Sequence, residues 1–222
     1  MAGVTPPAAE ATLRVSEIFY SLQGETSRTG LPTVFVRLTG CPLRCSWCDT
    51  EYAFSGGETL ALPVLVQTIL AQPTRRVCVT GGEPLAQKNC LPLLTLLCDA
   101  GCDVSLETSA ALDISGVDRR VSRIVDLKAP GSGEVARNRL ENLPLLTQHD
   151  ELKIVIGDRA DYDWACAMLR EHGLPERCPV LFSPVSTQLE PGQLADWILA
   201  DQLPVRLQVQ LHKLLWGNMR GR

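Results

Sequence analysis

Cys41, Cys45 and Cys48 fall within eight residues, spaced C-x3-C-x2-C, in the stretch from Gly40 to Thr50 that reads GCPLRCSWCDT. A loop with three thiols this close folds back on itself and can aim all three sulfurs at one centre. Thiolates suit a zinc ion or an iron–sulfur cluster. A closed zinc site needs a fourth protein ligand. The obvious second pair, Cys98 and Cys102, sits at the end of a predicted helix and before a predicted strand, at the opposite edge of any parallel sheet. None of His149, His172 and His212 is near the loop in sequence. Three cysteines without a fourth leave one iron of a [4Fe–4S] cluster open to a small molecule. Cluster, zinc and three unrelated thiols all remain readings of the spacing alone. The other cysteines (Cys78, Cys90, Cys98, Cys102, Cys166, Cys178) lie mostly in apolar runs and read as core fillers.

Gly81-Gly82-Glu83 follows the run RVCVT. Two residues without side chains let backbone amides and carbonyls approach a ligand, with a carboxylate beside them for an ammonium group. The plainer reading is a strand-to-helix turn. Arg37 lies inside the apolar run TVFVRL, where an unpaired guanidinium is costly, so a buried carboxylate partner is expected. Glu107 in DVSLET, Lys128 after RIVDL and His212 after the last apolar run share one property with the cysteines and with Glu83: each stands toward the C-terminal end of a predicted strand. In parallel α/β folds that edge binds ligands.

The elements that must position these residues follow from hydrophobic periodicity. Strands are expected over 14–21, 33–38, 76–80, 103–108, 123–127, 151–157, 179–182 and 205–210. Helices are expected over 58–72, with Pro63 in the first turn, and over 91–100, 138–147, 160–172 and 191–200. Repeated βα units predict an α/β fold on a mostly parallel sheet, with one connecting helix missing or reduced. A barrel, open or closed, and a doubly wound sheet both fit.

The chain of 222 residues reads as one domain over 13–222 behind a mobile N-terminal arm, 1–12, rich in Ala, Pro and Thr. The net charge of −4 offers no footprint for nucleic acid. No apolar run approaches the roughly 20 residues that span a bilayer. A cytoplasmic location is expected, where cysteines are reduced thiols or metal ligands.

The segments EIFYSLQGE, GLPTVFVRLTGCPLRCSWCDT, VTGGEP, SLETSA and LQVQLHKLLWG span Glu17 to Gly217. Together they resemble the 7-carboxy-7-deazaguanine synthase family of the radical S-adenosylmethionine (SAM) superfamily. The resemblance implies a radical SAM-type partial (βα) barrel. It also implies a radical ring contraction of 6-carboxy-5,6,7,8-tetrahydropterin with loss of ammonia, in queuosine biosynthesis. Cys41, Cys45 and Cys48 would hold a [4Fe–4S] cluster whose open iron chelates SAM, and Thr50 would bind Mg2+ that also grips the substrate carboxylate. Cofactor contacts carry over to Trp47, Asp49, Gly81, Gly82, Glu83, Glu107, Asp126 and Lys128. For Glu107 and Lys128 a buried ion pair is the structural alternative. Substrate contacts carry over to Leu22, Gln23, Gly24, Glu25, Arg37, Thr80 and His212. The family further implies a flavodoxin-like electron donor and a homodimer.

This chain departs from the family pattern twice. Ser183, in Phe-Ser-Pro, stands where many members carry a glutamine that contacts the cofactor. Ten residues follow His212, whereas some members end sooner and use a terminal carboxylate near the substrate, so that contact does not carry over. Two other readings share parts of the pattern. A glycyl-radical activating enzyme acting on a partner protein shares C-x3-C-x2-C and GGEP, and a non-catalytic metal-binding module shares the cysteines.

Overall fold

Successive side chains of a strand point to opposite faces, and this chain gives the two faces different chemistry. Val34, Val36 and Leu38, Val77 and Val79, Val104 and Leu106, and Leu152, Ile154 and Ile156 are at most 1% exposed and join one core. The alternate residues Arg37, Thr80, Glu107, Asp126, Lys153 and Ser183 line a cavity instead. One face of the sheet is therefore covered by helices, and the other is left for a ligand.

The computed structural model describes residues 11–222, so the expected arm lies outside the described residues as far as position 10. The strands are β1 Thr12–Leu22, β2 Pro32–Leu38, β3 Glu58–Ala61, β4 Arg76–Gly81, β5 Asp103–Ser109, β6 Ser122–Asp126, β7 Glu151–Ile156, β8 Val180–Pro184 and β9 Arg206–Leu207. Among the described residues they form one sheet in the order β3-β1-β2-β4-β5-β6-β7-β8-β9. β1 is antiparallel to β2 and β3, and every pairing from β2 to β9 is parallel. From β2 onward the order never reverses. A doubly wound sheet requires a reversal, so the architecture is a singly wound partial barrel with a mostly parallel sheet.

The helices are α1 Leu62–Leu70, α2 Cys90–Asp99, α3 Arg159–His172, α4 Leu174–Arg177, α5 Pro191–Ala200 and α6 Leu211–Trp216. Leu65 and Ile69 of α1, Leu93 and Leu97 of α2, Tyr162 and Leu169 of α3, and Leu194 and Ile198 of α5 complete the core. Among the described residues no helix is long and apolar enough to cross a membrane.

Three expected elements differ. Residues 58–61 are not the start of a helix but strand β3, because after Gly56 and Gly57, both at positive φ, they pair with 12–15 of β1. The helix expected over 138–147 is a 3-10 turn, Leu140–Leu145, because Pro144 within it lacks an amide hydrogen and clashes with an α-helical turn. The last strand is only Arg206–Leu207, and His212 lies in α6 rather than at a strand end. The reduced connection is real: β5 joins β6 without a helix, and β6 joins β7 through 3-10 turns.

Candidate active site

The cysteine loop leaves β2 at the C-terminal edge of the parallel strands and is fastened on two sides by its backbone. Toward β4, Gly82 N donates to Leu38 O at 3.1 Å and Glu83 N to Gly40 O at 2.8 Å. Toward the loop after β6, Ser46 N donates to Ser132 O at 3.0 Å, and Ser46 Oγ to Gly131 O at 2.8 Å. A Cβ on Gly82 would collide with the Gly40 carbonyl and lie 2.8 Å from Cys41 Cβ, and one on Gly81 would collide with the backbone of Leu38. The glycine pair thus has a structural task of its own, the close approach of β4 to the cysteine loop.

Glu83 is displaced from its expected role. Its side chain is fully buried and does not line the cavity. Its carboxylate accepts from Thr108 Oγ1 at 2.7 Å, Ser109 N at 2.7 Å, Ser109 Oγ at 2.6 Å and Leu85 N at 2.9 Å. Four donors occupy that carboxylate, so it anchors the Gly-Gly turn to β5 instead of meeting an ammonium group.

Every other residue assigned to the site from the sequence lines one cavity of about 660 Å³. Cys41, Cys45 and Cys48 are half-buried free thiols. Burial raises the pKa of each, and the nearby Lys128 ammonium opposes the rise. Lys128 pairs with Asp126 at 3.1 Å, not with Glu107, and despite burial that carboxylate holds its pKa above the ordinary lysine value. Glu107 accepts from Gln23 Nε2 at 3.2 Å and from Thr80 Oγ1 at 3.0 Å. Trp47 lies over Gly131 and Gly157, where an added Cβ would stand 3.0 and 3.2 Å from its ring. Ser183 reaches the wall from β8.

Arg37 meets the partner its burial demanded. A register shift between Val15 and Glu17 sets Glu17 directly across from Arg37, and Arg37 Nε donates to Glu17 Oε1 at 2.6 Å. Tyr52 OH donates to the same oxygen at 2.8 Å. Burial, partly offset by Arg37, pushes the Tyr52 phenol up to about 12. Beside it, Phe19 and Phe35 stack with ring centroids 4.9 Å apart.

Gln23, Gly24 and Glu25 lie on the same cavity. Glu25 pairs with Lys153 of β7 and accepts from Gln210 Nε2 at 2.7 Å. Burial would raise the Glu25 carboxyl, but Lys153 holds it below the usual range. His212 packs directly on Gly24, leaving no room for a side chain there, and burial favours its neutral ring. Thr50 sits at the N-cap of the 3-10 turn Glu51–Phe54 without capping it, and its hydroxyl donates to Asp49 Oδ1 at 2.9 Å. Asp49 also binds Lys213 Nζ at 2.8 Å, which outweighs burial and keeps the carboxylate ionised.

Sequence reasoning missed four parts of this wall: Lys153, Tyr52, the pair Gln210 and Lys213, and the segment from Gly217 to Arg222. For Lys153 the signal was present, since a lysine inside the apolar run ELKIVIG poses the same question as Arg37 in TVFVRL. For the segment after Gly217 there was none, because only the chain path folds it over the cavity.

A strand-edge loop of three thiols facing a polar, half-enclosed cavity defines a class. Residues 35–185 match the model of the radical SAM superfamily, and the chain is a radical SAM protein. It is 46% identical to a 7-carboxy-7-deazaguanine synthase of Chlorobaculum tepidum, over 96% of this chain and 99% of that protein. It is 43% identical to one of Koribacter versatilis, over 92% and 97%. The crystal structure of QueE from Escherichia coli superposes with a TM-score of 0.75 at 25% identity, covering 92% of this chain and 96% of that one. The chain belongs to the 7-carboxy-7-deazaguanine synthase family.

Membership brings a [4Fe–4S] cluster and SAM, and the residues fit both. The three half-buried thiols share one wall with backbone exposed at Gly81 and Gly82. Asp126 Oδ1, on the same wall, is buried without a hydrogen-bond partner, as an acceptor that awaits a donor on a bound molecule would be.

Proposed function

We infer that the chain contracts 6-carboxy-5,6,7,8-tetrahydropterin to 7-carboxy-7-deazaguanine, expelling ammonia, a step in queuosine biosynthesis. The observation that carries this reading is the sharing of one cavity by the three cysteines and by Gln23, Glu25 and Arg37. Substrate and product differ by one ammonia, so the conversion needs no net oxidant. When bound, the cluster and SAM supply hydrogen abstraction by a radical. The protein's part is to bind, orient and exclude water.

Cys41, Cys45 and Cys48 hold the cluster. The backbone at Gly81 and Gly82, with Trp47, Asp49, Glu107, Asp126, Lys128 and Ser183, holds SAM. Leu22, Gln23 and Gly24 border the pterin, and Glu25, fixed by Lys153 and Gln210, accepts from its amino and N–H edge. Thr80 orients the substrate, and His212 closes the pocket over Gly24. Arg37 keeps its terminal nitrogens for the substrate carboxylate while its Nε is tied to Glu17. Thr50, with substrate oxygens and water, binds Mg2+, a hard cation suited to such ligands. A flavodoxin-like donor, a homodimeric state and a cytoplasmic location complete the proposal.

The test is anaerobic incubation of reconstituted protein with SAM, a strong reductant, Mg2+ and carboxytetrahydropterin. A deazapurine of the product's mass and ultraviolet absorbance is expected, formed faster with Mg2+ than without. SAM cleavage without any deazapurine overturns the assignment.

A further inference from the structure

Six arginine and lysine side chains line the cavity, and four of them are neutralised by the protein itself. Arg37 pairs with Glu17, Lys128 with Asp126, Lys153 with Glu25 and Lys213 with Asp49. Glu107 adds an acid that accepts from Gln23 and Thr80 and enters no ion pair among the described residues. This part of the wall offers an anion little net charge, because each of these four cations faces a carboxylate and Arg37 keeps only its terminal nitrogens for a ligand. Yet the substrate proposed above is a carboxylate.

The two remaining cations, Arg220 and Arg222, arrive from the segment after α6, which folds back along the cavity from Gly217 to Arg222. Of these, Arg222 lies against Trp216, its Cζ 5.9 Å from the ring centroid. Arg220 lies over the ring of Tyr52, its Cζ 3.9 Å from the ring centroid. Arg37 approaches the same ring, its Cζ at 5.8 Å. The ring thus gathers two guanidinium groups at the aromatic end of the pocket. Its hydroxyl is held by Glu17, the partner of Arg37, so the platform is fixed. Arg220 itself enters no ion pair among the described residues. Stacking on an aromatic face orients a planar guanidinium and leaves its N–H fork open for a carboxylate.

We propose that Arg220, positioned by Tyr52, is a substrate-binding residue that pairs with the substrate carboxylate beside Arg37 and selects for acidic pterins. This rests on the function proposed above and adds a determinant from outside the barrel strands. Because Arg220 is exposed and carried by a short segment, it can engage the substrate after entry and help close the site.

Reconstituted wild type, Arg220→Ala and Arg220→Lys are compared by steady-state kinetics and by equilibrium dialysis of the substrate against SAM-free enzyme. Arg220→Ala should raise KM and the dialysis Kd about tenfold, the loss of one charge-assisted contact, with kcat nearly unchanged. Substrate-free SAM cleavage should stay at the wild-type rate. Arg220→Lys should recover part of the affinity, and a tetrahydropterin without the carboxylate should bind all three proteins equally weakly. An unchanged KM and Kd in Arg220→Ala, with product from wild type, overturns the role of Arg220 alone. Parallel loss of iron content, SAM cleavage and substrate binding in both variants also overturns it, by showing a structural role. If wild type cleaves SAM yet yields no deazapurine, the proposed function fails, and the substrate named for Arg220 fails with it.

Discussion

Glu25 and Lys153 face each other inside the barrel, with side chains 13% and 16% exposed. Each charge is tolerable there only because of the other, and Lys153 is held well above the ordinary ammonium value once Glu25 outweighs its burial. Removing one partner strands the other. Lys153→Met should therefore lower unfolding stability by about 2–3 kcal/mol, a little under the usual cost of breaking a fully buried pair because water still reaches both groups. Glu25→Gln combined with Lys153→Met should recover much of that loss, since no buried charge is left unpaired. Urea unfolding of the two single variants and the double variant measures the coupling, and strictly additive losses would contradict it. Arg37 illustrates how far such residues were legible: burial demanded a carboxylate, and only strand pairing identified it as Glu17. Glu83 shows the opposite case. Its place after two glycines suggested a ligand contact, but its four donors come from β5 and the next turn, neighbours that sequence distance hides.

Where β6 runs to β7 without an α-helix, a single carboxylate does the joining. Asp150, 1% exposed, accepts from Arg123 Nε at 2.9 Å and Nη2 at 2.6 Å, from Arg123 N at 3.0 Å, and from Thr147 N and Oγ1, both at 2.9 Å. Burial alone would raise its pKa, but these donors carry it below the normal aspartate value. A carboxyl depressed in the folded state stabilises at pH above its unfolded pKa of about 3.9, and that stabilisation is lost as pH falls through the folded value. Wild type should exceed Asp150→Asn by about 2 kcal/mol near neutrality. The difference should shrink below about pH 4. Guanidinium unfolding across that range checks the sign. A difference that persisted undiminished at pH 2 would show that charge is not what Asp150 contributes. Periodicity recovered the long core helices because their buried residues recur every three to four positions on one face, as Cys90, Leu93, Leu94 and Leu97 do in α2. It misjudged 138–147 because a helical pattern surrounds Pro144.

At the scale of the molecule, the core and the chemistry occupy opposite faces of one sheet. The apolar residues between the strands and helices α1, α2, α3 and α5 form a continuous core that includes none of the three cysteines. The cysteine loop is instead anchored by backbone bonds to β4 and to the loop after β6. Cluster removal by a chelator under oxidising conditions should then leave far-ultraviolet circular dichroism and a single cooperative unfolding transition, with only a small fall in midpoint. SAM binding should disappear at the same time. Loss of the cooperative transition on iron removal would mean that the cluster, like a structural zinc, holds the fold together.

The order of amino acids by itself determined the period of the strands, the close spacing of three thiols and the presence of charges inside apolar runs. Those are local properties, carried by a few consecutive residues, and they sufficed for an α/β fold, a ligand edge and a family resemblance. Which charge meets which is not local. Glu17 reaches Arg37 through a register shift, Lys153 reaches Glu25 from 128 positions away, and Arg220 reaches Tyr52 only because the segment after α6 turns back over the cavity. Tertiary structure decided these pairings, because desolvation forces each buried charge to find a partner among whatever groups the winding of the sheet brings near.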